Sequence, residues 1–164
     1  MILKTGSFLF ALLLAGTAWA YPSVGDRVQW TGSVTQANGT AVPVKITKEV
    51  MSFNKDTSRW VVKFEATMGA ETTSKTVEEE HLFTRDQFKK ILAQCEAQGG
   101  KLEKIAAPAG IYETCKTVTT AADGTLVEKW WGDIPFGVVS KSTRAPILKG
   151  KMAKTDLNSV IAGL

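Results

Sequence analysis

The stretch from residue 95 to residue 115, CEAQGGKLEKIAAPAGIYETC, holds both cysteines of the chain. What two thiols this far apart can do depends on the compartment they work in. The first twenty residues, MILKTGSFLFALLLAGTAWA, place Lys4 before an apolar run from Phe8 to Leu14 and end in the small-x-small triplet Ala18-Trp19-Ala20. That is the pattern of a secretory signal peptide cut before Tyr21. The apolar run is shorter than the roughly 20 residues a bilayer-spanning helix needs, and no later stretch reaches that length. Residues 21–164 are therefore expected as one exported domain, periplasmic or carried past the outer membrane, and not membrane-spanning. In an exported chain an even cysteine count reads as disulfides. The C-x-x-C spacing of a redox pair is absent, and a metal site needs more ligands than the chain's one histidine, His81, supplies. The expectation is a structural Cys95–Cys115 bridge with no metal and no cofactor. Closing a loop of this size contributes about 3 kcal/mol in the chain-entropy account.

Local pattern says what the bridge ties together. In FTRDQFKKILAQCEAQGG, Thr84 is placed to cap a helix and Gln87 to complete a capping box. Phe83 and Phe88 fit a hydrophobic staple around that cap. Phe88, Ile91, Leu92 and Cys95 fall on one helical face, and Gly99-Gly100 supplies a left-handed stop. The spacing predicts a helix over 84–98 with Cys95 pointing inward. Cys115 lies in GIYETCKTVTT, a β-branched run expected as a strand.

Most of the remaining chain alternates as antiparallel strands do. RWVVKFEATM sets Trp60, Val62, Phe64, Ala66 and Met68 on one face and Lys63, Glu65 and Thr67 on the other. Val42, Val44 and Ile46 share a face, and after Glu49 the apolar phase slips to Met51 and Phe53, as a β-bulge would make it. Asn38-Gly39 and Asp123-Gly124 mark hairpin turns. Glu78-Glu79-Glu80 ends a polar segment that reads as an edge strand blunted by charge. The tail after Arg144 is expected to add one more strand and a frayed end. The fold class is α+β, mainly β: a curved antiparallel meander of about eight or nine strands wrapped on one amphipathic helix.

PAGIYETCK followed by WWGDIPFGVVSKS resembles a pairing found in exported bacterial half-barrel proteins, in which a Pro-Ala-Gly turn opens a strand and a Trp-bearing strand leads into a Pro-containing loop. The group is similar to the lipoprotein carriers (LolA/LolB-like) and to uncharacterised periplasmic domains near them. The match runs from Cys95 to about Ser142. It implies a half-barrel whose concave face is covered by helix and, in the carriers, an apolar cavity that takes acyl chains. It assigns no functional residue to this chain.

The sequence contains no nucleophile elbow, phosphate cradle or calcium loop. His81 follows three glutamates without a second histidine. Glu113 and Glu128 flank the Asp123-Gly124 hairpin and would be paired carboxylates only if the register brought them together. With Lys4 removed, 19 basic and 16 acidic residues remain, an excess too small and too scattered for nucleic acid. The aromatics are the stronger lead. Adjacent Trp130 and Trp131 cannot face one side of a regular strand together, and DIPFG after them is expected as an apolar lip. The candidate ligand-lining residues are Trp30, Trp60, Phe64, Phe88, Leu92, Trp130, Trp131 and Phe136. The expected function is a non-catalytic exported envelope protein that binds a lipid, acylated or otherwise amphipathic ligand in the concave sheet. The alternative is an envelope scaffold or adaptor with a filled core and a surface for another envelope protein.

Overall fold

A computed structural model of the chain describes residues 21–36, 38–145 and 152–161, the last ten as backbone alone. Residues 1–20, expected as a signal peptide, and the C-terminal residues expected to fray lie outside the described residues. Within them, nine strands and one helix follow in the order β1 Arg27–Thr35, β2 Ala41–Asn54, β3 Arg59–Met68, β4 Glu71–Glu79, α1 Arg85–Gln94, β5 Lys101–Ala107, β6 Gly110–Thr120, β7 Leu126–Trp131, β8 Val138–Arg144 and β9 Met152–Ile161.

The strands form one antiparallel sheet in the order β4-β3-β2-β1-β9-β8-β7-β6-β5, an open half-barrel with β4 and β5 at its edges. It consists of two meanders, β1–β4 and β5–β9, with α1 in the connection between them. The meanders are joined where β9 pairs with β1, so the first and last strands among the described residues lie side by side at the middle of the sheet. The tail strand thus becomes the seam of the molecule.

Turn chemistry sets the hairpins. Gly39 (φ 82°) and Gly124 (φ 80°) take the left-handed conformation that their Asn-Gly and Asp-Gly pairs suggest. The phase slip in β2 is a real irregularity: Val50 pairs with Val62 and Ser52 with Val61, leaving Met51 as the extra residue. Helix α1 starts as expected. The Thr84 side chain accepts from the Gln87 backbone N–H, and the Gln87 side chain accepts from the Thr84 backbone N–H. It ends four residues earlier than the spacing predicted, because the chain turns at Cys95 and passes through Gly99 at φ 76°. That turn places Cys95 against β6, where it is bonded to Cys115. Gly100 has to be glycine here, since a Cβ would lie 2.8 Å from the Cys95 carbonyl and sulfur.

Two buried clusters form the core. One gathers Val28, Trp30, Ile134 and Val139 from β1, the loop after β7, and β8. The other gathers Val50, Val62 and Leu82. Phe136 packs against both and bridges them. Val28, Val62 and Val139 are fully enclosed, and each such side chain contributes about 1.5–3 kcal/mol by leaving water. The buried polar groups are satisfied: the Trp30 indole N–H donates to the Val138 carbonyl at 2.6 Å, and the Thr114 hydroxyl to the Glu103 carbonyl at 2.8 Å.

Candidate functional site

The register of β2, β3 and β4 builds an open groove. Lys48 stands opposite Phe64, and Phe64 opposite Lys75, so one row across three strands reads Lys-Phe-Lys. The next row on the same face is Val50, Val62 and Val77. Lys48, Val62, Phe64, Lys75, Val77 and Glu79 line a depression of about 400 Å³. Its floor is apolar: Val62 is buried and Phe64 and Val77 are half-buried. Its rim is charged. The Lys75 ammonium lies 5.7 Å from the Phe64 ring centre, and the Lys48 ammonium lies 5.2 Å from the Phe136 ring centre and 3.7 Å from a Glu79 carboxylate oxygen. Cations over ring faces are held by the ring quadrupole while the lysine stems cover apolar surface. The local balance is two positive charges against one negative. Trp60 adjoins the groove on the same face of β3, opposite Glu79.

A second cluster holds the loop that carries Phe136. The Tyr21 hydroxyl donates to Asp133 at 2.5 Å, and the Arg85 guanidinium donates to the same carboxylate oxygen at 3.2 Å. The Tyr21 ring stacks on Phe83 and lies under Arg85. Burial, and after it the hydrogen bond to Asp133, push the Tyr21 hydroxyl well above the usual tyrosine range. Tyr21, Arg85, Asp133, Ile134 and Tyr112 line a small hollow of about 180 Å³. Within residues 132–137 the Gly132 N–H donates to Gly137 and the Gly137 N–H to Ile134. Phe136 and Gly137 are both left-handed, at φ 63° and 72°. Ile134 and Pro135 are buried. Ile134, Pro135 and Gly137 are therefore tucked into the core, with Asp133 exposed and Phe136 half-buried, rather than presented as an apolar lip.

The sequence candidates separate accordingly. Phe64 lines the groove, Trp60 borders it, and Phe136 reaches it through Lys48. Trp30 is core, its indole already used. Phe88 is buried. Leu92 lines a different hollow of about 310 Å³ with Leu102, Glu103, Lys104, Glu113 and Thr114, so α1 and the β3 aromatics do not close one cavity. Strand alternation sends the two indoles to separate surroundings, and the register shift opposite them leaves Val139 as the extra residue on β8. Trp130 donates to the Glu103 carboxylate under Lys116, whereas Trp131 donates to Thr117 at 3.0 Å and stacks on Phe83. Both are half-buried and capped, so neither is a free aromatic anchor. Glu113 pairs with Lys104 and Glu128 with Lys116 (2.6 Å) rather than with each other. His81 is exposed, and among the described residues no three potential ligands gather as a metal site. Nothing in the sequence marks Tyr21, Lys48 or Lys75 as site residues, and Asp133 enters there only as the first residue of DIPFG. Only the strand register could have paired the lysines with Phe64.

No family model matches the chain, and no curated protein is similar to it at a significant level. Among solved structures it is similar to a protein from Bacteroides fragilis described as exported with a YmcC-like fold. That match has 10% identity and a TM-score of 0.49, over 87% of this chain and 99% of the other. It is similar to a Parabacteroides distasonis protein described as a lipoprotein, at 10% identity and a TM-score of 0.40, over 85% and 96%. It is also similar to a LolA superfamily protein from Nitrosomonas europaea, at 8% identity and a TM-score of 0.31, over 88% of each. With identities of 10% or less and scores below 0.5, the chemistry of the groove is read from its own residues.

Proposed function

We propose that residues 21–164 form an exported envelope protein, periplasmic or carried past the outer membrane, that binds an amphipathic ligand in the β2–β4 groove without catalysing a reaction. The observation that carries the reading is the Lys48–Phe64–Lys75 row beside Val62 and Val77. An apolar floor with a charged rim suits a molecule that is apolar at one end and polar at the other. At about 400 Å³ the groove falls within the range of about 300–1,000 Å³ typical of small-molecule sites. Titrating the protein with an apolar fluorescent probe such as N-phenylnaphthylamine should raise the probe's emission, and dodecyl maltoside should displace it. Val77→Lys, on the edge strand, should abolish both responses while circular dichroism stays unchanged. Probe emission that stays flat, or is indifferent to Val77→Lys, would contradict the groove as the site.

A second reading rests on the β5–β6 hairpin. Ile111 is 77% exposed and Leu102 44% exposed there. A protein-binding role predicts that Ile111→Lys abolishes capture of an envelope protein by crosslinking, and unchanged capture would remove that surface.

A further inference from the structure

The groove's charges say more than that its ligand is amphipathic. Lys48 and Lys75 lie on either side of Phe64 in one cross-strand row. Adjacent strands are about 4.8 Å apart, so the two lysine backbones are separated by about 10 Å and their ammonium groups can converge over the ring. The two lysines are not equally engaged. Lys48 has the Glu79 carboxylate at 3.7 Å, a loose pair in which each side chain is about one-third exposed. Lys75 has the Phe64 face and, among the described residues, no carboxylate within ion-pair distance. A cationic head would meet two ammonium groups. A neutral head would leave Lys75 with nothing new. An anionic head placed between the lysines gives Lys75 its counter-charge and competes with Glu79 for Lys48.

We propose that the ligand of this groove is an anionic amphiphile with one apolar chain, its head held between Lys48 and Lys75 and its chain laid along Phe64, Val62 and Val77. The inference rests on the groove being the ligand site. Glu79 is then a resident competitor that occupies Lys48 when the groove is empty. Phe136, over which Lys48 sits, couples head binding to the loop held by Tyr21 and Asp133. The shared chemistry is an acidic head on an acyl or alkyl chain. A free fatty acid and an acidic lipid fragment both supply it.

Calorimetric titration with three twelve-carbon probes, each below its micelle concentration, tests this: laurate, dodecyl maltoside and dodecyltrimethylammonium. Laurate should bind about tenfold or more tighter than the maltoside, and the cation should not bind. Lys75→Gln, on an exposed edge strand where the fold tolerates it, should weaken laurate about fivefold, well beyond any loss for the maltoside. Glu79→Gln should strengthen laurate. Equal affinities for laurate and maltoside, with no response to Lys75→Gln, overturn the anionic head and leave the amphiphile reading standing. Failure of all three probes to bind overturns both. Lauryl phosphate binding well above laurate would identify a phosphate head as the preferred form of the same acidic chemistry.

Discussion

Tyr21 and Tyr112 are the chain's only tyrosines, and burial disfavours ionisation at both. Tyr21 also gives its proton to a hydrogen bond with Asp133. A raised folded-state value means the folded form holds its proton longer than the unfolded chain. The stability it contributes is complete below the unfolded value of about 10 and is lost as pH rises towards the folded value. Titrating the native protein by phenolate absorbance should therefore show less tyrosinate near pH 10 than the protein in urea, with one tyrosine still protonated there. Ionisation of both tyrosines near 10 in the native protein would mean that Tyr21 is not docked. Glu103 works in the opposite direction. The Trp130 indole N–H holds its carboxyl below the usual carboxylate range. That contribution is present above the unfolded value of about 4.3 and is lost as pH falls through the depressed folded value. Glu103→Gln should thus flatten the acid limb of a stability–pH curve, and an unchanged limb would contradict the contact. None of this was legible in the sequence. Tyr21 reads there only as the residue after a cleavage point, and Glu103 only as one charge in KLEK. Their partners lie 112 and 27 residues away.

Elements were far more legible than sites, because their causes are local. The capping box at Thr84, the bulge near Met51 and the glycine turns at Gly39 and Gly124 each depend on residues within a few positions of one another. The loop over 132–137 shows the limit of such reading. DIPFG reads as an apolar segment, but its direction is set by long-range contacts. Gly137 is left-handed, and a Cβ there would lie 2.7 Å from the Phe83 ring. Gly137→Ala should lower stability by about 1–3 kcal/mol from overpacking, on top of the left-handed penalty of about 1–2 kcal/mol. Gly39→Ala carries the same backbone penalty but meets nothing within 4 Å, so urea denaturation should show the smaller loss. Equal losses would mean that the Phe83 contact is absent. The Lys48–Phe64–Lys75 row lies between these cases. Alternation shows that Phe64 faces Trp60 and Val62, but the lysines join it only through the pairing of three strands.

At the scale of the whole molecule, the half-barrel and its bridge were readable and the connection between its halves was not. The bridge followed from compartment, count and helix face, and it joins α1 to β6 as expected. Replacing both cysteines by serine should lower stability by about 2–5 kcal/mol in denaturant titration, while leaving ligand affinity unchanged. Lost affinity at unchanged stability would contradict a structural role. The pairing of β9 with β1 was hidden because KMAKTDLNSVI alternates weakly and because strands near opposite chain ends give no local sign of meeting. That pairing aligns the two meanders, one carrying the groove and the other the Phe136 loop. The central claim is that the groove takes an anionic amphiphile, and native mass spectrometry of the protein titrated with laurate tests it most directly. The account predicts a 1:1 adduct that weakens with Lys75→Gln and disappears with Val77→Lys. A bare polypeptide mass throughout the titration would contradict it.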